Sequence, residues 1–180
     1  MVVKEGLDMS RETCYDKFKR LAEIRVNRFK NLMLLISNLS DSRYDYTEEE
    51  AVHYYSELKG RIEAVKNEFY QSRSKKSELE IEDFKPLHPL DSDKFSSEMN
   101  MKFHKLMVGR LNRIAPLLRL LVNLTNRSHY DFRSADVKQI FNYMNKVNDT
   151  TLSHFVGIGD FSFSNQMEEE QEDLRRERRG

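Results

Sequence analysis

A chain of 180 residues with 33% charged and 38% hydrophobic side chains, 6 Gly, 3 Pro and no Trp has room for one compact domain and favours long helices over a sheet-rich fold. Thirty Lys and Arg match thirty Asp and Glu, so net charge gives no whole-molecule attraction to nucleic acid or anionic lipid and leaves only a local basic face to consider. No run approaches the roughly 20 apolar residues that span a bilayer, and the residues around Lys4, Glu5 and Asp8 carry no apolar signal core; a cytoplasmic protein with no membrane association is expected.

A first helix is expected to begin near Asp8 or Ser10, either of which can cap free amides. The lone cysteine, Cys14, allows no intramolecular disulfide and fits a reducing compartment. From Phe18 the apolar positions Leu21, Ala22, Val26, Phe29, Leu32, Met33, Leu35, Ile36 and Leu39 fall mostly in steps of three and four, one buried stripe. Asn38 to Tyr46 is a polar turn. Thr47 and Glu50 then have the spacing of a capping box, opening a second helix on Val52, Tyr55, Leu58, Ile62, Val65 and Phe69. This arm is expected to pack on the first as a helical hairpin.

Residues 71–96 read as a linker through their Ser, Pro and Asp content, with Leu79, Ile81, Phe84, Leu87 and Leu90 docking part of it. A third helix is expected from Ser96 or Ser97 through Met101, Phe103, Leu106, Met107, Leu111, Ile114, Leu117, Leu118, Leu120, Leu121 and Leu124, kinked or broken at Pro116. A fourth uses Val137, Ile140, Phe141, Met144, Val147, Leu152 and Phe155. Residues 161–180, with runs of Glu and Arg, form a charged tail expected to be flexible.

The two halves say nearly the same thing. Arg25-Val26-Asn27-Arg28 returns as Arg110-Leu111-Asn112-Arg113, and Leu32, Leu35 and Leu39 as Leu117, Leu120 and Leu124, each 85 residues on. After the turn the offset is 86, with Arg127 taken as the extra residue: Tyr44-Asp45 matches Tyr130-Asp131 and Phe69 matches Phe155. The expected fold is therefore all-α, duplicated helical hairpins forming a pseudo-twofold four-helix bundle with a long central linker. One domain would cover residues 1–160, with repeats at about 10–70 and 97–156.

The polar positions common to both halves are the candidates for function: Arg25, Asn27, Arg28, Asn38, Ser42, Tyr44 and Asp45, with Arg110, Asn112, Arg113, Asn123, Ser128, Tyr130 and Asp131. Asn38 and Asn123 stand where a left-handed or Asx-type helix stop is wanted, and Asp45 and Asp131 can cap the next helix or pair with an arginine. Arg25 with Arg28, and Arg110 with Arg113, are three apart and neighbours on a helix surface. They would form a basic strip for phosphates, with Tyr44 and Tyr130 beside it to stack bases. The five histidines show no paired metal-ligand spacing, Cys14 has no nearby histidine, and Gly157-Ile158-Gly159 lacks a third glycine and a preceding strand. No enzyme, metal, cofactor or small-molecule substrate is expected.

The turn from Asn123 to Phe132, preceded by Arg110-Leu111-Asn112-Arg113, resembles a motif of short, uncharacterised helical-hairpin proteins of bacterial plasmids and phages. Those have an Asn-Leu-Ser-Asn-Arg-Ser type turn leading into a Tyr-x-Tyr-Thr helix start. The first half keeps Tyr44-Asp45-Tyr46-Thr47, and the second keeps the turn but has Phe132 and Arg133. The resemblance implies a mobile-element origin and carries no activity. The function expected from the chain is a non-enzymatic interaction module that binds a protein partner or itself, using grooves between helices and the linker. The alternative is an accessory nucleic-acid binder acting through the four arginines.

Overall fold

The computed structural model describes residues 11–71 and 73–157. It holds four helices and, among the described residues, no strand: α1, Cys14–Ser37; α2, Glu48–Phe69; α3, Glu98–Asn123; and α4, Ser134–Leu152. None of them is long and apolar enough to cross a membrane. The expected starts at Asp8 and Ser10, and the tail 161–180, lie outside the described residues; α1 begins after Thr13, whose hydroxyl takes the Asp16 amide.

Local chemistry sets the other helix starts. Thr47 and Glu50 exchange hydrogen bonds in the expected capping box. Ser97 caps α3 by accepting from the Asn100 amide at 3.0 Å. At α4 the Asp136 carboxylate takes the Arg133 amide at 2.8 Å. Two expectations need correction. The third helix neither stops nor divides at Pro116 but runs through it to Asn123. Pro116 is exposed, and its missing amide leaves the Asn112 carbonyl without its intrahelical donor. Asn38 is right-handed, with φ −65°, because a 3-10 turn over Asn38–Ser40 continues the helical sense past Ser37 and no left-handed stop is required.

The packing departs from a simple pair of hairpins. Each helix lies against both helices of the other half: α1 against α3 and α4, and α2 against α3 and α4. No Cα atom of α1 comes within 8 Å of one in α2, nor α3 of α4, so the arms of each hairpin stand diagonally across the core. The expectation that the second arm packs directly on the first is corrected accordingly. α1 and α4 run in one direction, α2 and α3 in the other. The short turns set this geometry: the polar segments 38–47 and 124–133 are long enough to carry the chain across a diagonal, and each apolar stripe is wide enough to face two neighbours.

Phe29, Met33, Ile36, Leu58, Ile62, Phe103, Met107, Leu118, Leu121, Phe141 and Met144 are fully buried, each contributing about 1.5–3 kcal/mol by transfer from water. An aromatic group closes each end. At one, Phe18, Phe69, Phe132 and Phe141 meet, with centroids 6.2 Å apart for Phe18–Phe69, 5.2 Å for Phe18–Phe132 and 5.6 Å for Phe69–Phe141. At the other, Phe103, Phe155, Tyr46 and Tyr55 meet, with 6.3 Å for Phe103–Phe155, 4.8 Å for Phe103–Tyr46 and 5.6 Å for Phe155–Tyr55.

Candidate functional site

The arginine strip expected from the sequence divides in two. Arg25 and Arg110 do not stand free: Arg25 Nη1 donates to the Leu120 carbonyl at 2.6 Å, and Arg110 Nη1 to the Leu35 carbonyl at 2.6 Å. Both acceptors lie in the last turn of a helix that has no basic residue of its own there. The Leu124 amide, which would ordinarily serve Leu120, donates to Leu121 instead. Each arginine thus neutralises the negative C-terminal end of the helix opposite. Burial holds the Arg25 guanidinium below the usual arginine value, with the nearby Tyr130 hydroxyl opposing. Arg28 and Arg113 are exposed, and no ion pair engages either among the described residues.

Neither Asp45 nor Asp131 pairs with these arginines. Asp45 accepts from the Ser97 hydroxyl at 2.8 Å and Ser96 at 3.3 Å, and Asp131 accepts from Arg127 at 3.2 Å. Tyr44 and Tyr130 are half-buried against the core, with Lys17 over the Tyr130 ring at 5.3 Å. The Asx-type bonds expected at Asn38 and Asn123 belong to other residues. Asp41 accepts from the Arg43 amide at 2.9 Å and Asn126 from the Ser128 amide at 3.0 Å.

The best-defined site is the α2/α3 groove, which the linker fills. Ile81 and Phe84 are buried, Leu79 and Leu87 partly so, and Leu90 is exposed. Asn112, half-buried on α3, grips the backbone of Phe84 on both sides: its Oδ1 accepts from the Phe84 amide at 2.6 Å and its Nδ2 donates to the Phe84 carbonyl at 3.1 Å. An extended strand would satisfy Phe84 in the same way, so one carboxamide substitutes for a neighbouring strand. The Arg61 guanidinium lies over the Phe84 ring, 3.5 Å from its centroid. Arg119 donates twice to the Ile81 carbonyl, at 3.0 and 2.6 Å, and pairs with Asp83 at 2.8 Å.

Further along the groove a buried polar line holds Leu87. The Leu87 amide donates to the Tyr54 hydroxyl at 3.1 Å, and that hydroxyl shares a hydrogen bond with His104 Nδ1, 2.7 Å away. The other ring nitrogen, Nε2, is 3.1 Å from Glu50 Oε1 but off the axis of a good hydrogen bond. Burial depresses the His104 pKa, with Glu50 opposing, and pushes the Tyr54 hydroxyl up to about 12. Phe95 covers the imidazole from the linker side at 5.2 Å.

The α1/α4 groove is open. Phe18, Ala22, Val26, Ile140 and Tyr143 make its floor and wall, with Asn27, Gln139 and Asp136 as polar points. Asn27 stands 85 residues before Asn112, and Asp136 and Ile140 stand 86 after Glu50 and Tyr54. Asn27 is exposed, and no hydrogen bond engages its side chain among the described residues. Among the described residues, then, the carboxamide of Asn112 holds the linker and that of Asn27 holds nothing. The repeat had already singled out Asn27 and Asn112, but helical spacing says nothing of what a polar side chain grips, so the arginines drew the functional assignment instead. Among the described residues no cluster of three His, Cys, Asp or Glu can hold a metal ion. No protein-family pattern, curated protein or solved structure matches the chain.

Proposed function

We propose that the chain is a non-enzymatic interaction module that docks an extended segment of a protein partner in the α1/α4 groove. The observation that carries this is the double hydrogen bond of Asn112 to the backbone of Phe84 in the neighbouring groove. It is a working instance of extended-segment recognition, and Asn27 offers the same group at the matching place. Backbone bonds give affinity to such a contact and a pocket for one aromatic gives selectivity.

The proposal rests on a duplicated, pseudo-twofold four-helix bundle. Three sets of contacts support that architecture. The two aromatic groups correspond ring for ring at offsets of 85 or 86. The two arginine bonds are reciprocal, Arg25 to Leu120 and Arg110 to Leu35. The Asp41 and Asn126 turns are alike, each side chain accepting from the amide two residues on, which favours taking the extra residue of the second loop after Ser128.

The test is a titration of a synthetic peptide copying residues 79–88 onto the isotopically labelled chain. Amide signals of Val26, Asn27, Gln139 and Tyr143 are expected to move, and Asn27→Ala to weaken binding about tenfold, the worth of one good hydrogen-bonding group. No movement at millimolar peptide overturns the proposal. The nucleic-acid alternative would show itself differently, as uptake of DNA or RNA that falls steeply with salt and loses that slope when Arg28 and Arg113 are neutralised.

A further inference from the structure

The zero net charge hides a segregation of charge within the fold. α1 carries six Lys or Arg and two Asp or Glu, and α3 five and one, whereas α2 carries three and six. The two basic helices lie side by side. Their acids are Asp16 and Glu98 in the first turns and Glu23 on the α4 side of α1. We propose that the α1/α3 flank binds the phosphates of double-stranded DNA, Lys17 and Arg28 of α1 holding one strand and Lys102, Lys105 and Arg113 of α3 the other. The flank is separate from the α1/α4 groove, and neither proposal needs the other.

Arg25 and Arg110, which reach across to Leu120 and Leu35, mark the sides of α1 and α3 that face each other. Lys17, Leu21, Ile24 and Arg28 follow one another on that side of α1 at steps of three and four, and Lys102, Leu106, Gly109 and Arg113 on that side of α3. The helices are antiparallel, so each row covers one end of the seam. Lys17 to Arg28 spans about 17 Å, as does Lys102 to Arg113. Together the rows run for about 40 Å, little more than one turn of B-DNA. Arg28, Lys102, Lys105 and Arg113 are exposed, and no ion pair engages them among the described residues. Arg20 is taken by Glu12 at 2.6 Å. Arg25 and Arg110, bound to their carbonyls, add charge from beneath.

The reciprocal arginine bonds relate the two rows as a twofold axis would. A duplex has such an axis across its antiparallel strands, and a single strand has none. Stacking would favour a single strand, but Tyr44 and Tyr130 are half-buried against the core and offer bases no platform. An RNA duplex is read largely through its 2′-hydroxyls, yet α1 has no Ser or Thr before Ser37 and α3 has none. An anionic membrane surface is held through buried apolar area as well as charge. Ile24 and Leu120 are the large exposed apolar side chains of this flank, and two side chains supply little.

The experiment titrates a fluorescent DNA duplex of mixed sequence, about two turns long, with the full chain at a series of salt concentrations. Affinity is expected to fall with a slope of about −4 in log K against log salt. Arg28→Gln with Arg113→Gln should flatten that slope by about 2, and Lys102→Gln with Lys105→Gln by a like amount. Lys138→Gln with Lys146→Gln, on α4, should leave it in place. No uptake at low salt overturns the proposal, as does a slope that the flank substitutions leave untouched. Tighter binding of the single strand, of an RNA duplex or of vesicles containing anionic lipid overturns it in favour of that partner.

Discussion

At the scale of single residues, equivalent side chains have been given unequal work. Asn112→Ala removes both bonds to Phe84 in a half-buried setting and should cost about 1–3 kcal/mol. Hydrogen exchange at the Phe84 amide should rise with it, and Asn27→Ala should leave that amide's protection unchanged. The arginines behave differently because they are equal in use. Arg25→Ala and Arg110→Ala should each cost about 1.5–3 kcal/mol, the range for a charged donor on a carbonyl. Arg25 and Leu35 lie ten residues apart on α1, roughly 15 Å, so the two losses should add in the double variant; a strongly non-additive denaturation result would refute independent caps. His104 supplies a pH limit. Its folded pKa is depressed, so below the unfolded value of about 6.5 the unfolded chain binds the extra proton and stability falls with pH. Tyr54 has the opposite sign, with stability falling above the unfolded value of about 10. Thermal melting across pH should therefore show a plateau between these limits, and a His104→Gln variant should lose the acid slope assigned to that ring.

At the scale of elements, periodicity and caps made the helices legible. Thr47 with Glu50 and Ser97 mark helix starts that the structure repeats, and the buried Ile81 and Phe84 were visible as apolar residues inside a polar linker. The diagonal placement of the arms was not legible, because a stripe of buried residues does not say which neighbour buries it. The grip of Asn112 was hidden for a related reason, since it depends on the register of a linker that has no period. That α3 continues through Pro116 was not legible, because a proline can either end a helix or be carried within it. The missing donor at Pro116 faces the carbonyl of Asn112, one turn earlier in the helix, and Pro116→Ala restores that bond without disturbing packing. Greater conformational freedom of the unfolded chain offsets part of the gain, so a net stabilisation of about 1–2 kcal/mol is expected. A loss of stability in urea unfolding would show instead that the added freedom of the unfolded chain outweighs the restored bond.

At the scale of the whole molecule, each half covers its apolar stripes only with the other half. A single cut in the exposed stretch 89–91 of the linker should therefore leave two fragments that co-elute in native buffer, since no Cα atom of one arm of a hairpin comes within 8 Å of the other arm. Separated in denaturant and returned singly to buffer, each should show little helix by circular dichroism; a fragment that folds alone would contradict the interdependence of the halves. The placement of the linker has a consequence for valency. A body with two like flanks is suited to bridging, holding one partner on each side and extending into larger assemblies. On the docking proposed above, the molecule would present one face and end any assembly that it joins, because the strand of chain between α2 and α3 already sits in the other flank.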